Sequence, residues 1–480
     1  MDDLNVLFLT AGQQCRREVL TCSPEENAVD AALRMREQKV SCLVVCERGI
    51  PVGILTDRDL RNKLVAQGMD PHDVSVSSVM TSPLITVSQD DQLLDAVLRM
   101  TRHQVHRMVV LDKQGCLAGI ISDSDIYRLQ KQSPHLLVRE IEEAATIDEL
   151  RRLHRRVQNL VAYLIGTGVK IQDLIRLIAR LNDHILLRLI QVVRDECYVD
   201  LSDRFAFVVL GSQGRGEQTL TTDQDNALIH ADDLTAAAVR RLAGFCREVV
   251  DGFVAIGIPS CPGNTMAANE FWRRSSAGWR MEVDRWFSSA TLENIINVAM
   301  FCDMRTLYGD PGLEQGIKQH IAAHLGHNEF FLMKMAANVD RIPIPLNWRG
   351  QIKTETGDGR QGRLDIKRGG IFTITEGIKV LALDAKILDG GTLERIAGLV
   401  EAGTLNMAEA DNLRTALDQF LALRLRFQVE SLRDGLPPDN HIYLDRLNRV
   451  ETGRLRLALE EVRAFQRLLK RHFQLGLAGV

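Results

Sequence analysis

The sequence has little of what holds a small secreted or membrane-bound protein together. Its nine cysteines are an odd number, widely scattered, and no CxxC pair occurs. Cys42 and Cys46 stand four apart with no His or Cys cluster nearby to complete a zinc site. They read as reduced thiols in small core positions, the state of a reducing cytoplasm. Met1-Asp2-Asp3 opens the chain without a basic segment and apolar run, so no signal peptide is expected. The longest stretch without charge, Gly252 to Asn269, is interrupted by Gly, Pro and Asn and makes a poor membrane span. A large charge excess is missing too. The net charge of −4 gives no global pull toward nucleic acid or an anionic membrane. The expectation is a cytoplasmic protein with neither as partner.

What is present is ordinary globular material. The 480 residues are 45% hydrophobic and 25% charged. That length suits about three domains, each able to bury a core without covalent staples.

An internal repeat occupies the first quarter. Ser23-Pro24-Glu25-Glu26 precedes AVDAALRM, and Ser88-Gln89-Asp90-Asp91 precedes LLDAVLRM. Both read as helix starts, with Ser as N-cap and acids in the first turn. Each is followed by a β-rich run, Cys42–Val45 and Met108–Leu111, and a short hairpin turn. Then come Gly53-Ile54-Leu55-Thr56-Asp57-Arg58-Asp59 and Gly119-Ile120-Ile121-Ser122-Asp123-Ser124-Asp125. The offset between copies is 65 at Ser23/Ser88 and 66 at Gly53/Gly119, so the second hairpin turn holds one extra residue. The unit is helix–strand–strand–helix, twice.

The order of elements and the Gly-apolar-apolar-[Ser/Thr]-x-x-Asp ending resemble the CBS domain family, which occurs as a tandem pair. The resemblance covers residues 10–132, with repeats at about 10–68 and 74–132. It implies a cleft that often binds adenine nucleotides. Thr56 and Ser122 would then donate to phosphate from a helix start, and Asp59 and Asp125 would accept from ribose hydroxyls. The same four residues also suit plain helix capping. A CBS pair serving only as a dimer interface stays open beside ligand binding. Because CBS pairs commonly associate, a homodimer is expected.

Residues 133–198 read as a helical connector. Ser133-Pro134 ends the second repeat. Thr146-Ile147-Asp148-Glu149 is a capping box, and Leu150, Leu153, Val157, Leu160 and Val161 recur at helical spacing. Arg151, Arg152, His154, Arg155 and Arg156 read as a solvated basic face. Gly166-Thr167-Gly168 breaks this helix before a second one running from Ile171 to Val193.

The chemistry sits further on. Phe205–Leu210 is a continuous apolar run, a buried strand. It enters Gly211-Ser212-Gln213-Gly214-Arg215-Gly216-Glu217-Gln218, and Thr219–Thr222 leads to Asp223-Gln224-Asp225. The Gly-rich turn could bring backbone N–H groups against a phosphate. It lacks the G-K-[S/T] of a Walker loop and the spacing of a dinucleotide fingerprint. Asp223 and Asp225, two apart on a strand, share a face. Two ionised carboxylates so close repel unless a cation lies between them, and Mg²⁺ prefers such oxygen donors.

Gly-Ser followed by Asp-x-Asp resembles the polymerase-β-like nucleotidyltransferase superfamily. The string LGSQGRGEQTLTTDQDNALI closely resembles the nucleotidyltransferases joined to CBS pairs in bacterial signalling proteins, relatives of the N-terminal domain of PII uridylyltransferase. The resemblance implies that Gly211 and Ser212 hold an NTP's triphosphate and that Asp223 and Asp225 bind Mg²⁺. Arg215 would neutralise phosphate charge; Glu217 has no clear role, orienting Arg215 being one it could take. It extends more weakly through Cys261-Pro262-Gly263, Met266-Ala267 and 297–309, and adds a helical C-terminal substrate-binding region.

One departure is visible. The superfamily usually supplies a third carboxylate from a later strand. The next candidate strand, Phe253-Val254-Ala255-Ile256, leads into a segment without acids. Glu270 and Asp303 could substitute. Both read as helical, and Asp303-Met304-Arg305 as an ion pair on a helix surface. The aromatic stretch Phe271–Phe287 reads as core rather than cleft. From Asn328 on, the chain reads helical, with Thr373–Ala385 amphipathic between two Gly pairs and long helices at Met407–Leu423 and Thr452–Phe473. Arg360, Arg363, Lys367 and Arg368 beside Asp365 read as a solvated basic loop.

The fold expected is multidomain α/β and α: a tandem CBS pair at 1–132, the connector at 133–198, a polymerase-β-like nucleotidyltransferase α/β domain at 199–327, and a helical C-terminal domain at 328–480. The function expected is transfer of NMP from an NTP to an acceptor hydroxyl under CBS control. The alternative is a nucleotide sensor acting through a binding partner.

Overall fold

The computed structural model describes residues 10–103, 105–123, 125, 134–165, 169–220, 223–326, 328–355 and 362–475. Ser124, Ser133, Gly166-Thr167-Gly168, Thr221-Thr222 and Arg360, singled out above, lie outside the described residues. The chain divides into two compact units, Met1–Arg139 and Glu140–Val480. Among the described residues no helix is long and apolar enough to cross a membrane.

In the first unit, strands β1 (Thr21–Cys22), β2 (Cys42–Glu47) and β3 (Ile50–Thr56) form one sheet, and β4 (Thr86–Ser88), β5 (Arg107–Leu111) and β6 (Leu117–Ser122) form the other. In each sheet the short first strand runs parallel to the second, which pairs antiparallel with the third. Both hairpins carry a register shift at the same place, Val45/Cys46 and Val110/Leu111. Each repeat has its own core, and the two cores share matching positions. Ala31, Met35, Leu43 and Val45 answer to Ala96, Met100, Met108 and Val110 at the first offset, and Leu55 to Ile121 at the second.

The helices start later than the Ser-acid pattern suggests. Helix α1 spans Ala28–Glu37 with Asn27 as N-cap, its side chain accepting from Val29 N–H. Helix α2 spans Leu93–His103, and Ser88 ends β4 instead of capping. Residues 23–26 and 89–92 are the turns between strand and helix. The Ser-acid signature fits such a turn as well as a cap, because both use a side-chain oxygen against a nearby N–H.

The second unit is built round a four-stranded sheet in the order β10-β7-β8-β9. Here β7 is Phe205–Val209, β8 Asn226–His230, β9 Arg273–Ser275 and β10 Arg305–Gly309. The pairs β10/β7 and β7/β8 are antiparallel, while β8/β9 is parallel. Every residue of β7 and β8 is buried, as continuous apolar strands require. The stretch read as a connector supplies helices α3 (Ile147–Leu164) and α4 (Ile171–Cys197), which pack on α5 (Ala236–Ile256) within this unit. Thr146 and Glu149 form the capping box that starts α3, and all five residues of the expected stripe are buried. His154 joins that stripe rather than the basic face, its Nδ1 lying 3.2 Å from the Ile256 carbonyl.

Residues 253–256 are not a strand. They finish α5, whose buried positions Leu242, Phe245, Val249, Phe253 and Ile256 recur at helical period. Trp272, Trp279, Trp286 and Phe301 pack together as core, and Trp279 Nε1 donates to the Leu228 carbonyl at 2.9 Å. They belong to β9's approach, α6 (Ser276–Ser288) and α7 (Leu292–Phe301). Helices α8 (Pro311–Leu325) and α9 (Glu329–Asp340) follow.

Among the described residues after Asp340, a loop is followed by helices and a two-stranded sheet of β11 (Arg363–Asp365) and β12 (His441–Tyr443). The centre of this region is α10 (Phe372–Asp384), buried almost all round instead of amphipathic. Helices α9, α11 (Thr392–Glu401) and α13 (Arg449–His472) pack against it, and α12 (Met407–Arg433) packs on the helical turn just before it. Gly369 and Gly370 do not interrupt the chain here. They lie in the helical turn Lys367–Ile371 that runs straight into α10, where a side chain on Gly370 would meet the Phe420 ring at 2.9 Å.

Candidate functional site

Strand β7 runs into Leu210, still extended, and then into a single helical turn, Gly211–Gly214. Gly211 has φ +54°, where side chains are disfavoured. A Cβ there would also stand 3.2 Å from Asp225 Oδ2. Glycine therefore lets the turn lie directly against that carboxylate. Leu210 N–H donates to the Asp225 carbonyl at 2.9 Å, which ties the end of β7 to the start of β8. Ser212 lies on the turn, half-buried, and its carbonyl accepts the Glu217 N–H at 2.8 Å.

Asp223 and Asp225 immediately precede β8. Between them Gln224 is buried, bridged in parallel to Ser260 and donating Nε2 to the Ile258 carbonyl at 3.3 Å. Alternation then places the two half-buried aspartates on the opposite side, together. Burial pushes the pKa of Asp225 upward, and the charge of Asp223 adds to that. The Cys261 thiol donates to Asp225, and Lys367 and Arg215 pull the other way without prevailing.

Two cations from the helical region face this pair. Lys367 starts the turn before α10, and Arg424 lies in α12. Burial and the Arg424 charge lower the Lys367 pKa against the pull of Asp223, Asp225 and Asp365. Burial brings the fully enclosed Arg424 down to about 10, against the pull of Asp365 and Asp223. Among the described residues no ion pair joins Lys367 to either aspartate of the pair, so its charge is felt at a distance. Lys367 is thus no part of a solvated loop, and Arg424 and Cys261 join the site without having been singled out for it.

Arg215 does not point to this place. Its Nε donates to Glu217 at 2.7 Å and its Nη1 to Asp303 at 2.6 Å. The second oxygen of Glu217 accepts the Thr392 N–H of α11. Glu217 orients Arg215, but toward the fold's interior rather than toward a phosphate. Asp303 is likewise not on a helix surface. It occupies the turn between α7 and β10, fully buried, with Lys379 at 2.8 Å and Arg395 at 2.7 Å besides Arg215. Burial alone would raise its pKa, but the three cations hold it well below the ordinary carboxylate range. Arg305, its supposed partner, pairs with Asp183 at 2.8 Å.

No third acid joins the pair from the neighbouring strand. β9 runs parallel to β8 and carries Arg273, Arg274 and Ser275. Arg273 Nη1 donates to the carbonyls of Ala267 and Ala268. Glu270 sits exposed on the single turn before β9.

In the first unit, Thr56 caps the helical turn Asp57–Asp59 in a reciprocal box with Asp59. The Asp59 carboxylate also accepts from Thr81 Oγ1 at 2.7 Å and pairs with Lys63 at 2.9 Å. Burial works against its charge, but the hydrogen bonds from Thr56, Lys63 and Thr81 win and lower its pKa. Ser122 and Asp125 repeat the arrangement, with Arg16 Nη2 2.8 Å from Asp125. A cavity of about 670 Å³ opens beside the first box, lined by Thr56, Asp59 and Lys63 and by His106 and Arg107 of the second repeat.

Three family models match the chain. The family described as "Putative nucleotidyltransferase DUF294" matches residues 155–293, and the "Putative nucleotidyltransferase substrate binding domain" matches residues 329–473. The CBS domain family matches residues 15–66 and 76–131. The protein MK0525 of Methanopyrus kandleri is 37% identical over 142 residues, 29% of this chain and 71% of that one. The CBS domain-containing protein YhcV of Bacillus subtilis is 36% identical over 109 residues, 23% of this chain and 76% of that one. A solved CBS-domain containing protein, ATU1752 of Agrobacterium tumefaciens, is 30% identical, covering 23% of this chain and 88% of that one with a TM-score of 0.22. The chain belongs to the family in which a pair of CBS domains is joined to a DUF294 nucleotidyltransferase domain and its substrate-binding domain.

Proposed function

We propose that the second unit moves a nucleoside monophosphate from an NTP to an acceptor hydroxyl and releases pyrophosphate. The observation that carries this reading is the Asp223–Asp225 pair, set beside Gly211 with the pKa of Asp225 raised by burial. Buried like charges call for a counter-cation. The donors at hand are carboxylate oxygens, which suit Mg²⁺. When bound, Mg²⁺ supplies Lewis-acid polarisation of the α-phosphate and offsets charge on the departing pyrophosphate. Gly211 and Ser212 offer backbone N–H groups and a hydroxyl to the triphosphate. Lys367 and Arg424 bring positive charge to the same place from the substrate-binding region. In the step itself the acceptor oxygen bonds to the α-phosphorus, the α–β phosphoanhydride bond breaks, and the hydroxyl proton passes to solvent. Arg215 holds the turn in place through Glu217 and Asp303.

The CBS unit regulates this activity by taking an adenine nucleotide into the cavity beside Thr56, where Lys63 and Arg107 suit a phosphate. Two chains associate through their CBS pairs, and the protein works in the cytoplasm. Incubation with each α-labelled NTP, Mg²⁺ and host lysate tests the transferase reading. Label should pass to an acceptor and pyrophosphate should appear, and both should be lost in Asp223→Asn/Asp225→Asn. Equal transfer by that variant would end the assignment.

One observation favours a second reading, a nucleotide sensor without turnover. β9 carries Arg273 and Arg274 where an acid was sought, and Asp303 is fully engaged by three cations. The site then has no carboxylate base for the acceptor. Under this reading NTP binds with Mg²⁺, but no pyrophosphate is released with any acceptor.

A further inference from the structure

A second cluster in the same unit lies apart from the aspartate pair. His320 and His324 stand one turn apart on α8, so both rings leave the same face of that helix. Asp284 faces them from α6, which packs against α8. Each histidine places its Nε2 2.6 Å from the same oxygen, Asp284 Oδ1. The three donor atoms lie within 4.8 Å of one another. The His324 ring stacks on Phe287 with centroids 4.9 Å apart and planes 4° apart, which fixes its direction. His320 meets His324 edge-on. The side chains of His320 and His324 are 27% and 33% exposed, so one side of the cluster opens to water.

We propose that Asp284, His320 and His324 bind a divalent transition metal, with zinc the natural occupant, and thereby clamp α6 to α8. Two imidazole nitrogens and one carboxylate oxygen with an open fourth position form a familiar three-ligand zinc set. Histidines at i and i+4 on one helix face are a known way to build it. At zinc–ligand distances of about 2.0–2.1 Å, tetrahedral ligand atoms stand roughly 3.3 Å apart. The two 2.6 Å separations between Nε2 and Asp284 Oδ1 need to open by less than about 1 Å, within reach of small side-chain rotations. A hydrogen-bonded His–Asp–His triad uses the same contacts, since one carboxylate oxygen accepts two N–H groups. What metal adds is a use for the shared convergence point and the open fourth side. Mg²⁺ does not compete well here, because imidazole suits zinc, cobalt and nickel while Mg²⁺ seeks oxygen.

The test uses the full chain, stripped with a chelator and titrated with Co²⁺. One Co²⁺ should bind per chain with the visible bands of nitrogen and oxygen ligation and no thiolate charge-transfer band. Zn²⁺ should displace it and raise the Tm of the protein. His320→Ala/His324→Ala should lose at least about 100-fold in affinity, and Zn²⁺ should no longer raise its Tm. His320→Gln/His324→Gln, which keeps polar side chains across the helices, should fold and show the same loss. Asp223→Asn/Asp225→Asn should keep the cobalt spectrum, so failure of the transferase reading leaves this result untouched. Absence of Co²⁺ binding by the wild-type chain, or equal binding by the histidine variants, overturns the proposal.

Discussion

Asp225 and Asp303 lie at the two ends of one helical turn and show how neighbours decide what a buried carboxylate does. At Gly211 a Cβ would stand 3.2 Å from Asp225 Oδ2, and at Gly214 it would stand 1.8 Å from the Asp303 carbonyl oxygen. Burial disfavours the charge of both. Around Asp303 three cations in direct contact more than reverse that effect. Around Asp225 a second aspartate adds to it, and the cations keep their distance. A carboxylate whose charge is balanced inside the fold holds elements together. One whose charge is left over awaits a partner from outside, and that imbalance marks binding and catalytic sites.

The difference can be broken most forcefully at Asp303. Asp303→Asn leaves Lys379, Arg215 and Arg395 crowded without their counter-charge, a loss of about 3–5 kcal/mol for a buried network. Urea unfolding should show the second unit melting early while the first keeps its midpoint. An unchanged midpoint for both units would remove the contrast. Asp225→Asn should act in the opposite sense. Without divalent cation it should stabilise the second unit by about 1 kcal/mol, while turnover disappears.

The pH dependence sharpens the same point. The folded-state pKa of Asp225 is raised, so its contribution to stability is present below the ordinary carboxylate range and is lost as pH rises through the raised value. Mg²⁺ should restore what is lost. The Tm difference between Mg²⁺-loaded and chelated protein should therefore widen as pH leaves the carboxylate range, and it should stay flat in Asp225→Asn. Lys367→Met, which removes a distant cation, should raise KM for NTP by about tenfold with the fold intact by circular dichroism. Smallest of all, Thr56→Ala deletes a helix cap worth about 1 kcal/mol, visible in the melting of the first unit.

What could be read from the sequence follows from how locally each feature is encoded. The CBS repeat was legible because its core residues recur at a fixed offset, and Met35/Met100 and Leu55/Ile121 are core in both copies. Strand β7 announced itself as an unbroken apolar run, and the spacing of Asp223 and Asp225 implied their common face. Phe253–Ile256 misled because three β-prone residues, Phe253, Val254 and Ile256, hide the helical period that begins at Leu242. The helix starts moved from Ser23 and Ser88 because serine–acid turns serve strands as readily as helices. Asp303 carried no local sign of its role, since its partners come from positions 215, 379 and 395. Lys367 and Arg424 reach the aspartates only through the packing of the C-terminal helices, which no short pattern encodes.

The most direct test of the charge imbalance is divalent-cation binding measured by Mn²⁺ paramagnetic resonance with NTP present, in a His320→Ala/His324→Ala background. The account predicts Mn²⁺ bound with NTP, abolished by Asp223→Asn/Asp225→Asn and retained when Glu217→Gln alters the other end of the turn. Mn²⁺ binding that survives the loss of both aspartates would contradict it.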